Sequence, residues 1–395
     1  MLKGEMFGHF INKFGCIILS IWFVAYAAQS SAQLRLFSNL DTDVGLQSNN
    51  IYCILEDAKG HIWTGSFGAG VSIYNGVEFK GFTTVDGLNS NYIRTLLEDS
   101  QGRIWIGTQR GVNRFTPAGQ LISVMDKEEV FDLAEDEKGA VWMATTHRVY
   151  KMVDDSLIQC KGITNSIVFS LFHDSSHRTW AGPRGLGLFL FDESANKFLK
   201  YPTGNLLDNQ VIKDMIELDD GRILIATNQS LYEMLPSGEI NKFPIHAVIE
   251  DLFDGGNFIW ASTFKNGIIR LNKDGIYDTI SVENGLISNN IKEIIRDDEN
   301  NIWIASNEAG IARSLGADMY LIPSSETFNC EEDNGYFRSG NQSWFGSENH
   351  IFLQEYDLPP TLWGSVDKSY ETCYELIKEE DTLYVGTKEG SILKM

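Results

Sequence analysis

The sequence predicts an all-β fold, a β-propeller of four-stranded antiparallel blades, and three observations carry the prediction. One phrase, centred on an aromatic in the pattern I-W-x-G, recurs about every 40 residues along a chain of 395. The apolar runs are short, rich in Ile, Val and aromatics, and cut by Gly, Asn or Asp. Gly (36) far outnumbers Pro (8), with 12% aromatic residues, a balance that suits short strands joined by tight turns. Nowhere does a helical apolar stripe run for three turns without a turn residue breaking it.

The repeats are aligned on Trp63, Trp105, Trp142, Trp180, Trp260, Trp303 and Trp344, with Leu224 and Tyr384 filling two further slots. Within one unit the strands read YIRTLLE, RIWIG, VNRF and a weaker LISVM, separated by the turns DSQG and TQRG. A period near 40 with four strands per period is a propeller blade. The count is about nine units; eight, or seven plus part of a second ring, are the alternatives. LRLFSNL (Leu34–Leu40) reads as a spare outermost strand, and the last unit, ending at SILKM, shows only three. The ring is therefore expected to close by pairing the N-terminal strand with the C-terminal blade, which also protects both edges.

Residues 1–32 have the layout of a secretory signal peptide: Lys3 and Lys13, then the apolar Gly15–Ala27, then small residues before Gln33. That apolar core is short for a membrane span. The propeller is then residues 33–395, and the expected location is periplasmic or secreted. A formal net charge of -22 argues against binding nucleic acid or anionic lipid. The cysteines form no CxxC pair and no Cys/His metal pattern. His147, His173 and His177 are near one another in sequence but not at metal spacing on one element, so no metal and no cofactor are expected.

The matching pieces GLxSNxI, EDxxGxIWxGT and the following GV or GI resemble the two-component regulator propeller repeat, found in periplasmic sensor regions of bacterial hybrid two-component systems. The resemblance spans essentially the whole mature chain. It implies a sensor that hands its signal to a kinase. Because Ig-like, membrane, kinase and regulator segments do not follow Met395, the partner is expected to be a membrane sensor kinase, or further propeller domains, encoded separately.

Blade topology divides each unit between two faces. The EDxxG turn lies on one; the GLxSN lead-in and the TxxG turn lie on the other. Trp63, Trp105, Trp142, Trp180, Trp260 and Trp303 recur with the period and read as structural wedges between blades. Asp57, Asp99, Asp136 and Asp297 sit in turns where a carboxylate bonds local backbone. On the other face the residues differ from unit to unit, as recognition requires. Phe67, Arg110, His147, Arg148, Arg184, Phe264, Lys265 and Glu308 are the candidates from the TxxG turns. Asn50, Asn91, Tyr92 and Asn290 are those from the lead-in loops. Aromatic faces with amides and Arg suit an oligosaccharide or other polar nutrient. No catalytic constellation emerges, so the expected function is non-catalytic ligand sensing. A carbohydrate-active lyase or glycosidase, or a scaffold without a ligand, are the alternatives.

Overall fold

A computed structural model describes residues 37–256, 258–272 and 277–314 and, as backbone strands, seven segments between 336 and 394. The expected signal peptide lies outside the described residues. Among them, no helix is long and apolar enough to cross a membrane.

Seven antiparallel blades form the unit Leu36–Met319. Their innermost strands are Ile51–Glu56, Ile93–Glu98, Val130–Glu135, Val168–His173, Ile212–Glu217, Ile249–Asp254 and Ile291–Arg296, defining blades 1 to 7. The four-stranded blade stands as read, but the number does not: the ring has seven blades, the count of one alternative, not nine. The closure is corrected with it. Phe37–Leu40 pairs with Ile311–Ser314, Leu40 opposite Ile311 and Phe37 opposite Ser314, and so completes blade 7 rather than the C-terminal blade. Two further sheets follow in a second compact unit, one of four strands (Tyr336–Ser339, Gln342–Ser347, His350–Glu355, Thr361–Ser365) and one of three (Cys373–Glu379, Thr382–Thr387, Ile392–Lys394).

The physical reason is that periodicity counts units, whereas closure depends on which blade meets the first. Blade 7 supplies three strands and needs a fourth, and its seam with blade 1 is stitched directly. Glu293 Oε2 accepts from the Ile54 N–H at 2.9 Å, and Glu56 Oε2 accepts from the Asp298 N–H at 2.8 Å.

The core is divided among the seams. Trp105 packs with Val130, Leu133 and Met143 of blade 3, and Trp303 packs with Ile51, Ile54 and Ile62 of blade 1. In each case a large residue on the second strand of one blade fills the wedge against the next. The polar end of the indole is satisfied locally. Asp99 Oδ2 accepts from Trp105 Nε1–H at 2.6 Å, while its Oδ1 accepts from the N–H groups of Gln101 and Arg103. The same six-residue Asp–Trp bond is present in blades 1, 3, 4 and 7. The Glu before the Asp faces the neighbour instead. Glu98 Oε2 accepts from the Ala58 N–H of blade 1, and Glu135 Oε2 from the Ser100 N–H of blade 2, each at 2.8 Å. The E-D pair is thus two tools, one for the seam and one for the turn.

Asp99→Ala should cost roughly 2–4 kcal/mol, because it strands a buried indole N–H and uncaps a turn. Asp220→Ala in blade 5, where the aromatic slot holds Leu224 and the carboxylate is 55% exposed, should cost under about 1 kcal/mol. Urea melts of the two variants test the difference, and equal losses would refute this role for Asp99.

Candidate functional site

Every innermost strand begins with a break in register. Pairing with the second strand skips between Ile51 and Cys53, Ile93 and Thr95, Val130 and Asp132, Val168 and Leu171, Ile212 and Asp214, Ile249 and Asp251, and Ile291 and Glu293. A bulge turns the skipped side chain away from the alternation of the strand. The first residue in each skip, Tyr52, Arg94, Phe131, Phe169, Lys213, Glu250 and Lys292, contacts the next in blade order around the ring.

That belt is continuous. The Arg94 guanidinium lies 5.6 Å from the Tyr52 ring and 5.6 Å from the Phe131 ring. Phe131 meets Phe169 edge-on at 5.1 Å, and Lys213 Nζ lies 5.5 Å from Phe169. Glu250 Oε2 holds Lys213 at 3.2 Å and Lys292 at 3.6 Å, and Lys292 returns to Tyr52 at 5.0 Å. Arg94 also pairs with Glu129 at 2.7 Å. Burial pushes the Lys292 ammonium below the usual lysine range, with Glu250 opposing the shift.

The lead-in loops and the turns after the second strands meet on one face, above the belt. In all seven blades the carbonyl just before the innermost strand accepts from the N–H just after the second strand, Phe67 to Asn50 and Gln109 to Tyr92 among them. Phe67 and Tyr92 meet at 4.7 Å, Phe67 stacks on Tyr52 at 5.0 Å, and Arg94 lies 5.2 Å over the Phe67 ring. Phe264, with Lys292 5.7 Å and Lys265 5.1 Å from its ring, faces them from blade 6. Phe67 (37%), Tyr92 (39%) and Phe264 (38%) leave aromatic surface to solvent here.

The other candidates divide. Arg110, His147, Arg184, Lys265 and Glu308 are exposed on the turns, and Asn50 is exposed on its loop. Arg148 is drawn to Gln159 of its blade's outermost strand and to Glu128, not to the belt. Asn91 is a turn residue: its Oδ1 accepts from the Thr84 N–H, as Asn49 and Asn289 do for Thr42 and Val282. Asn290 is buried, and its Oδ1 has no hydrogen-bond partner among the described residues.

The belt was missed by sequence reasoning, although a signal existed. Buried apolar residues in the innermost strands recur at a spacing of three, Ile51 and Ile54, Val130 and Leu133, Ile291 and Ile294. A spacing of three in a strand breaks the period of two and marks a bulge. One residue beyond the belt, Asp132, Asp214, Asp251 and Glu293 are half-buried. Each accepts from an N–H of the next blade, Leu171, Leu252, Ile294 and Ile54 respectively. Burial raises all four, Asp132 to about 7 and Glu293 to about 8, with the Asp214 charge adding to the other three.

Residues 45–68, 87–110 and 285–308, in blades 1, 2 and 7, match the family described as two component regulator propeller. No curated protein matches the chain. Among solved structures it is similar to an extracellular domain described as that of a hybrid two component system of B. thetaiotaomicron. The two are 17% identical with a TM-score of 0.62, over 92% of this chain and 53% of that one. A second such domain from B. thetaiotaomicron, described as that of a one component system, is 22% identical with a TM-score of 0.60, over 93% and 52%. This chain therefore spans about half the length of those domains. A virginiamycin B lyase from Staphylococcus aureus is 18% identical with a TM-score of 0.60, over 71% and 98%. At these identities the likeness to solved structures establishes the propeller fold.

These four acids give a pH signature. Their folded pKa values lie above those of the unfolded chain, so between about pH 4 and 8 the native state holds more protons and stability falls as pH rises. Asp99 acts oppositely: burial raises it, but the bonds from Trp105 and Arg103 outweigh that and hold it low, so its contribution disappears only in stronger acid. The melting-temperature difference between wild type and Asp132→Asn should therefore change through about pH 7. A difference independent of pH would rule out the assignment.

Proposed function

Because this chain carries two component regulator propeller repeats, we propose that its seven-bladed ring is an exported sensor module that binds an acidic oligosaccharide at the mouth of the channel. The observation that carries the reading is the belt capped by half-exposed Phe67, Tyr92 and Phe264. Aromatic faces stack on sugar rings, and cations beneath them select carboxylate or sulfate substituents. Arg94, Lys213 and Lys292 face two carboxylates, Glu129 and Glu250, which leaves the belt net positive within an acidic chain.

Binding without turnover is favoured by where the carboxyl groups lie. Asp132, Asp214, Asp251 and Glu293 are each engaged by a backbone N–H of the next blade, whereas a glycosidase needs paired carboxyls free to reach the scissile bond. The module acts in the periplasm or outside the cell. Its bound state is read by a membrane sensor kinase or through further propeller domains.

Thermal-shift titration with neutral and uronic-acid-containing oligosaccharides tests the reading. An acidic oligosaccharide should raise the melting temperature, and Arg94→Ala should weaken its binding roughly 10- to 100-fold through loss of charge-assisted hydrogen bonds. Tyr92→Ala, at an exposed position, should weaken it without unfolding the ring. No shift with any oligosaccharide, or full binding by both variants, would overturn the proposal.

A further inference from the structure

At the seam between blades 3 and 4 the repeat changes its chemistry at three positions together. In blades 1, 2, 3 and 5 the last residue of the innermost strand is Glu, and Glu56, Glu98, Glu135 and Glu217 each accept from a backbone N–H of the preceding blade. In blade 4 that residue is His173. The turn residue it faces, Ala58 or Ser100 at the seams of blades 1 and 2, is Glu137 here. The third change is in the blade 4 turn. The slot held by Gly60, Gly102, Gly139 and Gly221, with φ between 70° and 80°, and by Asn300 of blade 7 at φ 68°, is held by His177 at φ 62°. A non-glycine side chain in the left-handed region is uncommon and calls for a reason.

We propose that His173, His177 and Glu137 form a binding site for a divalent transition-metal ion, zinc foremost, bridging blades 3 and 4 on the face opposite the belt. One ring nitrogen from each of His173 and His177 and an oxygen of Glu137 all lie within 4.8 Å of one another. The imidazole of His173 is oriented from behind: its Nδ1 is 3.2 Å from the buried Thr179 Oγ1, and donating there leaves a lone pair on Nε2. A backing hydrogen bond of this kind fixes the tautomer of a metal-ligating histidine. The Nε2 atom is buried and makes no well-formed hydrogen bond, although Glu137 Oε2 is 2.5 Å away.

The other separation, His177 Nδ1 to Glu137 Oε2, is 3.9 Å. Nitrogen and oxygen ligands on tetrahedral zinc stand about 3.3 Å apart, between the two observed values, so sub-ångström adjustments seat the ion. The other carboxylate oxygen, Oε1, faces Lys138 at 3.8 Å and leaves Oε2 for the metal. His177 is 68% exposed, which keeps the remaining coordination position open to water. Two imidazoles and a carboxylate suit zinc, cobalt or nickel and disfavour calcium or magnesium, which take oxygen ligands.

The test is calorimetric titration of the untagged, chelator-stripped full chain with zinc at neutral pH, alongside thermal melts with and without the ion. One zinc per chain and a raised melting temperature are expected. His177→Gly restores the residue that other blades place in this slot, so it should fold at least as stably as the wild type in chelator while losing at least about tenfold in zinc affinity. Thr179→Val, which removes only the backing hydrogen bond, should lose roughly 10- to 100-fold. No stoichiometric binding, or binding that His177→Gly and His173→Ala leave unchanged, would overturn the proposal. So would a melting temperature that responds to pH but not to zinc, which would make His173 and Glu137 an ion pair and nothing more.

Discussion

The open face of this ring depends on adjacent blades meeting at a fixed wedge, and the buried indole on the second strand holds that wedge apart. A large apolar side chain is needed there because two twisted sheets diverge from the channel outward, and the gap must be filled at the density of a protein interior. Indole also brings an N–H that cannot be left unpaired. The Asp six residues earlier answers that need with one oxygen and caps its own turn with the other. Filling the seam, satisfying the indole and closing the turn are therefore one event, and the loops above inherit their positions from it.

On that frame the bulge at the start of each innermost strand converts a structural element into a recognition surface. The residues on either side of the bulge, Ile51 and Ile54 in blade 1, stay buried against neighbours. The skipped residue escapes the seam, and its identity is released from packing. Seven released positions in blade order carry aromatic, cationic and acidic groups, each satisfied by the next around the ring. The next position serves the opposite purpose: Asp132, Asp214, Asp251 and Glu293 bind the neighbouring strand's N–H, and desolvation raises their carboxyl pKa values. One strand segment thus holds the ring together and presents a surface to a ligand.

What could be read along the chain was whatever a single unit must contain for itself. The Asp turn, the aromatic of I-W-x-G and the four short strands are local requirements, met within about 40 residues and so visible as a repeated phrase. Phe67, Tyr92 and Phe264 were reachable too, because blade topology alone places both loops on one face. Arg148 and Asn91 show the limit of that reasoning. Both lie in the right loops, but Arg148 is taken by Glu128 and Gln159, and the Asn91 side chain is spent on its own turn.

By itself the sequence determined the blade, since strand length, turn chemistry and the wedge residue are properties of one repeat. Tertiary structure alone decided everything that crosses a seam. Closure at blade 7 rests on Phe37–Leu40 finding Ile311–Ser314 far along the chain. The belt rests on a bulge that re-aims seven side chains toward one another, and the cluster of Glu137, His173 and His177 rests on two turns from different blades. Spacing along a chain records what each unit repeats; contacts between units depend on the angle at which the units meet, and that angle exists only once the ring has closed.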